Sequence, residues 1–543
     1  MKISSLTITL FVSFLCSVTA LSQINIGVYT VSTIARGVNS KYGINVNAGV
    51  DHDVNRAEGA QSLAVAIGET GSKYLRYPGG EKSNYFVWTE DPMNPDPTTN
   101  YWGAVYADIA LTTLNFDEFM ALCEQTGAEA HVNVAVNIWD TVTFTKTLAA
   151  EWVRYANLTK SYGVKYWEIG NELWHPDKDN EWAQLSFDLN SMAELVIEYS
   201  NAMKAIDPTI KIGVSWKAHE MQELINLCGS ALDFVTISNY TDGGGTSYSD
   251  YKGTRNVDLL KVNENLSLNT VISECNHADW SGSTWDLSNN TGKGLIIFDL
   301  VGQIFKSSKT EYGLLWNTRW YPVEGIYSEN NGDAFDNQNS PLPVVQPFAL
   351  WHQFLKDDLV QTSNGDRAIV SYAAYDDDTG ELNVFVINKE TSAKNVNVSI
   401  SSKNTYGSAE VWQYKGADEW DENPTLGQVG SANVSSNLIE YTLPSTSITV
   451  FKLALSTSAN ASTTEDISIY PNPLTGNYMH IKLNSSKRVS RLEIYDVAGR
   501  KTFAKNEINQ TEVSVDVSNF QEGTYVLRIF HNEGIVNTKI MVL

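Results

Sequence analysis

The chain has 543 residues, of which 42% are hydrophobic and 19% are charged, so we expect a globular protein of several domains and not a disordered chain. It carries 63 acidic and 38 basic residues, a formal net charge of -25, which excludes an extended nucleic-acid surface because phosphate contacts require clustered Lys and Arg. Aromatic residues make up 11% of the chain, and such rings suit either a core or a sugar-binding cleft.

The N-terminus has the pattern of a secretory signal peptide. Lys2 precedes an apolar run that ends in small residues near Ala20 and Ser22, and this run is too short to cross a bilayer. We therefore expect residues 1–22 to be removed, and we find no other segment with the composition of a membrane span. The mature chain would retain three cysteines, an odd number that indicates no disulfide framework.

Residues 23–356 alternate short β-rich runs with helical patterns, which is typical of parallel β-α-β units. Eight strands with intervening helices over roughly 300 residues favour a closed (β/α)8 barrel. An open doubly wound sheet is the alternative, but the first strand-to-helix junctions carry no glycine-rich nucleotide loop. The eight predicted strands are residues 42–46, 74–76, 130–136, 165–169, 210–214, 234–237, 270–272 and 313–316.

After residue 357 the helical patterns stop and strands joined by tight turns follow, so residues 357–455 are predicted to form an antiparallel β-sandwich. Three consecutive Asp residues in the turn at 376–380 could bind calcium, but acidic turns are far more common than sites with the roughly six to eight oxygen ligands that calcium needs. The predicted strands are residues 368–375, 382–387, 396–400, 409–414 and 448–453.

Residues 456–466 have no apolar periodicity and are predicted to be a flexible linker. Residues 467–543 then form a last, small all-β unit. The fold class is therefore multidomain: a (β/α)8 barrel, an antiparallel β-sandwich and a small C-terminal β-domain.

Two of the predicted barrel strands end in a carboxylate. Glu172 follows the fourth strand, where Gly170 lets the backbone turn, and Glu274 follows the seventh strand. In a parallel barrel the C-terminal ends of the strands form the catalytic face. A retaining glycosidase needs two carboxyl groups about 5 to 5.5 Å apart, and these two strand ends can supply them.

The same residues resemble glycoside hydrolase clan A, which has Asn-Glu after the fourth strand and a glutamate after the seventh; the resemblance extends from Leu75 to about Leu453. The segments LRYPGG (75–80) and YGVKYWEIGNE (162–172) are most similar to the α-L-arabinofuranosidase-like enzymes, which also carry a C-terminal β-sandwich. Agarases and porphyranases of the clan share the strand-four motif. The motif therefore predicts the reaction and leaves the substrate open.

This resemblance implies a role for each residue at the strand ends. Glu172 would be the general acid/base and Glu274 the nucleophile, which Arg76 would keep ionised through an ion pair. Asn171 would hydrogen-bond a hydroxyl of the reacting sugar, and Tyr240 would contact the nucleophile. The acid has to stay protonated near neutral pH, which a neighbouring carboxylate and an apolar wall favour. No cofactor is implied.

Other residues on the same face are weaker candidates. Trp316, on the eighth strand, is either a sugar-stacking platform or a core residue, and Asn137 is a candidate substrate contact. The arabinofuranosidase-like pattern usually has His two residues before the tyrosine of strand six, whereas this chain has Ser238. Residues just beyond strand ends that we assign no firm role are Trp88, Trp139 and His175. The set His131, Asp140 and His277 makes no convincing group of metal ligands.

The C-terminal unit contains the segments IYPNP (469–473), LEIYDVAGR (492–500) and GTYVLR (523–528). They closely resemble the C-terminal sorting domain of type IX secretion cargo. This resemblance implies the type IX machinery as a partner and a secreted or outer-surface location. A carbohydrate-binding protein that lost catalysis, or a surface adhesin, remains an alternative of another class, although adhesins usually contain tandem repeats and none is evident.

Overall fold

The structure is a computed structural model that describes residues 23–89, 112–136, 142–174, 187–240, 248, 264–277, 288–319, 332–363, 368–456, 467–483, 487–496, 500–532 and 534–543. The chain forms two compact units, one ending at Leu455 and the other covering Ser456–Leu543. The predicted signal peptide and most of the predicted linker lie outside the described residues.

The first strand, β1 (Ile24–Ala35), precedes the barrel, and the next eight strands are parallel and close on themselves in chain order. The predicted (β/α)8 barrel is thus confirmed. Its strands are β2 (Tyr42–Asn45), β3 (Tyr74–Tyr77), β4 (Glu129–Val134), β5 (Tyr166–Ile169), β6 (Lys211–Ser215), β7 (Phe234–Tyr240), β8 (Asn269–Asn276) and β9 (Thr310–Leu315). The described α-helices around them are α1 (Leu63–Thr70), α2 (Phe116–Thr126), α3 (Val142–Val153), α4 (Leu189–Lys204), α5 (Met221–Cys228) and α6 (Thr291–Lys306). Short 3-10 segments cover Val38–Ser40, Asp53–Asn55, Glu81–Tyr85 and Gly229–Ala231, and a π-helical turn covers Arg154–Thr159.

Two helix starts show how local capping sets the boundaries. Asn115 caps α2 through a capping box with Glu118. For α4 the sequence pattern predicts a capping box that begins at Ser191, but the capping residue is Asp188. Its carboxylate accepts a hydrogen bond from the Ser191 backbone N–H at 2.8 Å, and the Ser191 hydroxyl accepts one from the Asp188 N–H at 3.0 Å. The helix therefore begins before the apolar periodicity does.

The inner face of the barrel carries aromatic rings at its N-terminal end and charges above them. Tyr74 and Tyr312 stack with ring centroids 3.6 Å apart. Because side chains alternate along a strand, Arg76 and Glu168 point into the barrel one layer nearer the C-terminal ends. The rings that close the N-terminal end are Tyr74, Tyr166, Phe234 and Tyr312. The strands thus place a charged layer directly beneath the face formed by their C-terminal ends.

The second part of the first unit is a nine-stranded sheet with the order β15-β14-β17-β12-β11-β10-β1-β13-β16, preceded by helix α7 (Phe348–Phe354). Its pairs are antiparallel except for β1 and β13, which run parallel. The strands are β10 (Asp358–Ser363), β11 (Ile369–Tyr375), β12 (Leu382–Asn388), β13 (Lys394–Ser401), β14 (Tyr406–Lys415), β15 (Thr425–Asn433), β16 (Leu438–Leu443) and β17 (Ser447–Leu455).

Strand β1 lies in this sheet, whereas the predicted domain boundaries assigned all of residues 23–356 to the barrel. It pairs with β10 on one side and with β13 on the other. Its inward residues Ile26 and Val28 are buried in the same apolar cluster as Val360 and Val398. The N-terminal strand therefore ties the start of the chain to the sandwich.

A buried ion pair joins barrel helix α6 to the sheet. Asp299 accepts hydrogen bonds from Lys389 Nζ at 2.6 Å and from the Tyr372 hydroxyl at 2.5 Å, and Gln303 donates a third at 3.2 Å. Asp299 is 5% exposed and Lys389 2%. Burial alone would raise the pKa of Asp299, but the Lys389 charge and the hydrogen bonds from Lys389, Tyr372 and Gln303 together lower that pKa below its usual value. The carboxylate is thus held ionised at this junction.

The C-terminal unit is all-β, as predicted, with its own apolar core. It contains a three-stranded sheet, β18-β19-β22, and a four-stranded sheet, β21-β20-β23-β24. The strands are β18 (Ile467–Tyr470), β19 (Tyr478–Leu483), β20 (Val489–Asp496), β21 (Lys501–Lys505), β22 (Glu512–Asp516), β23 (Gly523–His531) and β24 (Gly534–Val542).

Candidate active site

The guanidinium of Arg76 is the centre of a hydrogen-bond network inside the barrel. Its Nε donates to Glu168 at 2.7 Å, and its Nη1 donates both to Glu274 at 3.1 Å and to Asn45 at 2.9 Å. Nη2 donates to the side-chain oxygen of Asn171 at 2.8 Å. The side chain of Arg76 is fully buried. One guanidinium therefore fixes four residues on or just after three strands, β2, β5 and β8, in a single plane of donors.

Glu274 lies near the end of β8 and is only 4% exposed. Its second carboxylate oxygen accepts a hydrogen bond from the Tyr240 hydroxyl at 2.6 Å, on the neighbouring strand β7. Burial, aided by the negative charge of Glu172, raises the pKa of Glu274 to about 7, against the opposing effects of Arg76 and Tyr240. The carboxyl group is thus firmly held, while burial and the charge of Glu172 oppose its ionisation.

Glu172 follows β5 in a turn with two left-handed residues, Gly170 at φ 63° and Glu172 itself at φ 46°. A non-glycine residue in this region is uncommon and is often found at functional sites. Asn84 clamps the turn, because it accepts from the Asn171 N–H at 2.7 Å and donates to the Asn171 carbonyl at 2.9 Å. The side chain of Glu172 is half-buried, and its charge acts on both Glu274 and Tyr240.

Glu168, which sequence reasoning missed, lies on β5 two residues after Tyr166. Besides Arg76 it contacts the His131 ring at 3.1 Å and accepts a hydrogen bond from Asn133 at 3.2 Å. Burial would raise the pKa of Glu168, but Arg76 and the hydrogen bond from His131 hold it at about 2. A carboxylate in the middle of a four-residue buried strand was the signal in the sequence, since Glu is almost never fully buried without a partner.

Trp316 follows β9 and is 7% exposed. Its backbone N–H donates to the Cys275 carbonyl at 2.9 Å, and the Trp316–Asn317 peptide bond is cis. The ring lies against Gly80, where a Cβ atom would collide with it and where φ is 59°. The second glycine of the LRYPGG segment is thus required both for its backbone conformation and for the space that the indole occupies.

The remaining candidates fall into two groups. Trp88 is a packing residue: its ring stacks on Trp152 at 5.9 Å and its Nε1–H donates to the Leu148 carbonyl at 3.0 Å. Within the described ranges, no three His, Cys, Asp or Glu side chains are grouped as metal ligands, and no helix is long and apolar enough to span a membrane. The candidates that lie outside the described residues are Asn137, Trp139, Asp140 and His175.

Part of the chain is similar to proteins named alpha-L-arabinofuranosidase C or probable alpha-L-arabinofuranosidase C. It is 25% identical over 199 residues to the probable alpha-L-arabinofuranosidase C of Aspergillus fumigatus, which covers 33% of this chain and 37% of that protein. It is 26% identical to the alpha-L-arabinofuranosidase C of Emericella nidulans over 28% of this chain and 31% of that one. The matched segment thus spans about a third of the length of these curated relatives.

Solved structures extend the likeness to the barrel and the sandwich. The alpha-L-arabinofuranosidase of Thermotoga maritima superposes with a TM-score of 0.60 at 17% identity, over 80% of this chain and 100% of that one. The family 51 enzyme of Thermotoga petrophila gives a TM-score of 0.60 at 18% identity, with the same coverage. The resemblance to arabinofuranosidase-like proteins is confirmed. A family 44 xyloglucanase of Paenibacillus polymyxa shares the fold at a TM-score of 0.54 and 13% identity, over 80% of this chain and 99% of that one.

Residues 468–543 match the family described as the secretion system C-terminal sorting domain. This match confirms the predicted type IX sorting tail. It indicates a secreted or cell-surface location for the chain that carries it.

Proposed function

We propose that this arabinofuranosidase-like chain is a secreted retaining glycoside hydrolase that cleaves plant or algal polysaccharides, or their oligosaccharides, by double displacement. The observation that carries the proposal is the pairing of Glu274 on β8, held by Arg76 and Tyr240, with the charge of Glu172, which follows β5. Two carboxyl groups that interact across the mouth of a (β/α)8 barrel are what the retaining reaction requires.

In the first step, Glu274 attacks the anomeric carbon while Glu172 protonates the departing oxygen; in the second, Glu172 removes a proton from water, which releases the sugar from Glu274. Because the two carboxylates repel each other, the pair retains one proton near neutral pH. Arg76 and Tyr240 both bind Glu274, which favours that carboxylate as the ionised member and Glu172 as the acid.

The neighbouring residues serve binding and orientation. The side-chain oxygen of Asn171 is engaged by Arg76, which fixes the amide plane and leaves the amide N–H groups as the donors for a sugar hydroxyl. The indole of Trp316, beside Gly80, supplies an apolar face for stacking. Asn137, just after β4, remains a candidate contact of the substrate.

The arabinofuranoside linkage is the first choice because the named relatives and several structural neighbours are arabinofuranosidases. A galactan of the agarose or porphyran type is the second, since Ser238 departs from the arabinofuranosidase-like pattern and pairs in register with Glu274. Hydrolysis of arabinan, arabinoxylan, agarose, porphyran and carrageenan by the full-length chain distinguishes them. If none is bound or cleaved, the enzyme proposal fails; binding without cleavage supports a carbohydrate-binding protein.

The roles of the two carboxylates are tested with E274A. We expect turnover of 4-nitrophenyl α-L-arabinofuranoside, or of the polysaccharide identified in the screen, to fall by about 10⁴-fold. Azide should partly restore it and give a glycosyl azide of inverted configuration, because azide takes the place of the missing nucleophile. Proton NMR of the wild-type reaction should show first product with retained configuration. Wild-type turnover by E274A, or an inverted first product, contradicts the mechanism.

A further inference from the structure

We propose that Glu168 is a positioning residue that divides the positive charge of Arg76 between itself and Glu274. This inference rests on the proposed role of Glu274 as the nucleophile. Its carrying observation is geometric: one buried guanidinium is shared by two buried carboxylates, with Nε 2.7 Å from Glu168 and Nη1 3.1 Å from Glu274. Arg76 therefore cannot neutralise Glu274 fully.

The network holds Glu168 as a permanent anion. The titratable groups that face Glu168 among the described residues are Arg76 on β3, His131 on β4 and Tyr312 on β9. Asn133 adds a neutral hydrogen bond. The Tyr312 hydroxyl lies 2.8 Å from the other ring nitrogen of His131, which fixes the ring. Burial lowers the pKa of His131, so His131 is neutral and supplies no second cation. Arg76 is the only cation in this network among the described residues.

The groups that face Glu274 give the same picture from the other side. They are Arg76 on β3, Tyr240 on β7, Glu172 after β5, Glu168 on β5 and the adjacent Cys275. Of these described groups, only Arg76 carries a positive charge, and Glu168 also binds that charge. The negative charge of Glu168 accordingly acts in the direction that raises the pKa of Glu274.

The chemical consequence concerns nucleophilic strength. A carboxylate that is fully neutralised by an arginine is a weak base and attacks carbon poorly, whereas one that is only partly neutralised retains basicity. Because Arg76 also binds Glu168, it can orient the Glu274 carboxylate without removing the basicity that the attack on carbon requires. The arrangement accounts for a feature that the reaction itself does not require, namely a further carboxylate, fully buried, beneath Glu172 and Glu274.

The test compares E168Q with the matched control E311Q in the full-length chain. Gln keeps the size of Glu168, and its amide oxygen can still accept the Arg76 hydrogen bond. The change removes the charge and puts an amide N–H2 group in place of Oε1, which accepts no hydrogen bond in the described structure. Glu311 lies on β9 and contacts Tyr166 and Lys211, away from Arg76. Infrared difference spectra recorded against pH report the protonated carboxyl band, and the component that E274Q abolishes is assigned to Glu274. This readout requires no substrate.

In E168Q we expect the titration midpoint of the Glu274 carboxyl group to fall by about one pH unit or more, because Glu274 is then the only carboxylate bound to Arg76. The pH midpoint on the acid side of the kcat/KM profile should fall by the same amount. The variant then keeps a larger share of its maximal activity at low pH than the wild type does. E311Q should shift neither midpoint. E168D keeps the negative charge but moves it away from Arg76, so it should give a smaller shift in the same direction. If E168Q does not fold, E168D provides the test.

An unchanged midpoint in the folded variants overturns the proposal, and so does a fall in activity without any shift in the pH profile, which is the result of a purely structural role. If the wild type hydrolyses none of the substrates, the proposed function fails, while the infrared midpoints still decide whether Glu168 shares Arg76. The two failures are therefore distinguishable.

Discussion

The barrel interior and the junction between barrel and sandwich each bury carboxylates against a cation, but they balance their charges differently. At the junction one ammonium, Lys389, meets one carboxylate, Asp299, whose remaining lone pairs accept from Tyr372 and Gln303. The balance is one to one, and the pKa of Asp299 lies below its usual value. This is the arrangement of a buried ion pair that holds two layers together.

In the barrel, one guanidinium meets Glu168 and Glu274, and Glu172 adds a third negative charge nearby. Glu168 has the shorter contact and stays ionised, while the pKa of Glu274 is raised to about 7. Excess negative charge in a buried site costs stability, and such sites are typical of catalytic centres. The contrast teaches that the ratio of charges, and not burial itself, separates a structural pair from a reactive one.

The largest effect is expected at the balanced site. K389M leaves the Asp299 carboxylate buried without its cation, which should lower the free energy of unfolding by about 3 to 5 kcal/mol at pH 7. The loss should shrink towards pH 4, because Asp299 in the variant can take up a proton. Urea unfolding followed by tryptophan fluorescence measures both.

The control for this variant is K403M. Lys403 pairs with Asp377 at 2.7 Å in the same sheet domain, but both side chains are largely exposed, so its loss should leave the unfolding midpoint unchanged. If K389M is as stable as K403M, the Lys389–Asp299 ion pair does not stabilise the junction, and the contrast with the barrel interior is wrong.

The opposite sign is expected at the unbalanced site. Because the folded state raises the pKa of Glu274 above its unfolded value of about 4.3, stability is lost as pH rises from that value through 7. E274Q removes this penalty and should stabilise the chain by about 3 to 4 kcal/mol at pH 8, with almost no effect at pH 4. Urea unfolding at the two pH values measures the difference. A destabilised E274Q at pH 8 would mean that Arg76 neutralises Glu274 after all.

Much of this contrast can be anticipated from the sequence, for a physical reason. Barrel strands are short apolar runs, and a carboxylate directly after such a run lies at the face formed by the C-terminal strand ends, so the sequence alone places Glu172 and Glu274 on one face. Glu168 was overlooked because Trp167 and Ile169 mark the strand as apolar. They face the helices, whereas Glu168 faces inward with Tyr166, a distinction that the alternation along the strand contains.

Other features depend on contacts that no local pattern encodes. Strand β1 has the alternation of a half-buried strand, but its partners lie more than 320 positions further along the chain, as in the pair of Val28 and Thr362. Likewise, the meeting of Asn45 with Arg76 and of His131 with Glu168 depends on the register of neighbouring barrel strands. Such pairings are decided by closure of the whole sheet.

The smallest effect tests the unbalanced site from its other hydrogen bond. Y240F removes the 2.6 Å bond that favours the ionised form of Glu274, so the pKa of Glu274 should rise further and the acid limb of kcat/KM should move up by about half a pH unit. This direction is opposite to that expected for E168Q, since one change weakens the stabilisation of the anion and the other strengthens it. Y162F, which deletes a hydroxyl bound to Asp117 at the surface, provides the control and should leave the profile unchanged. A downward shift in Y240F would show that Tyr240 does not stabilise the anion, and the charge of Glu274 would then depend on Arg76 alone.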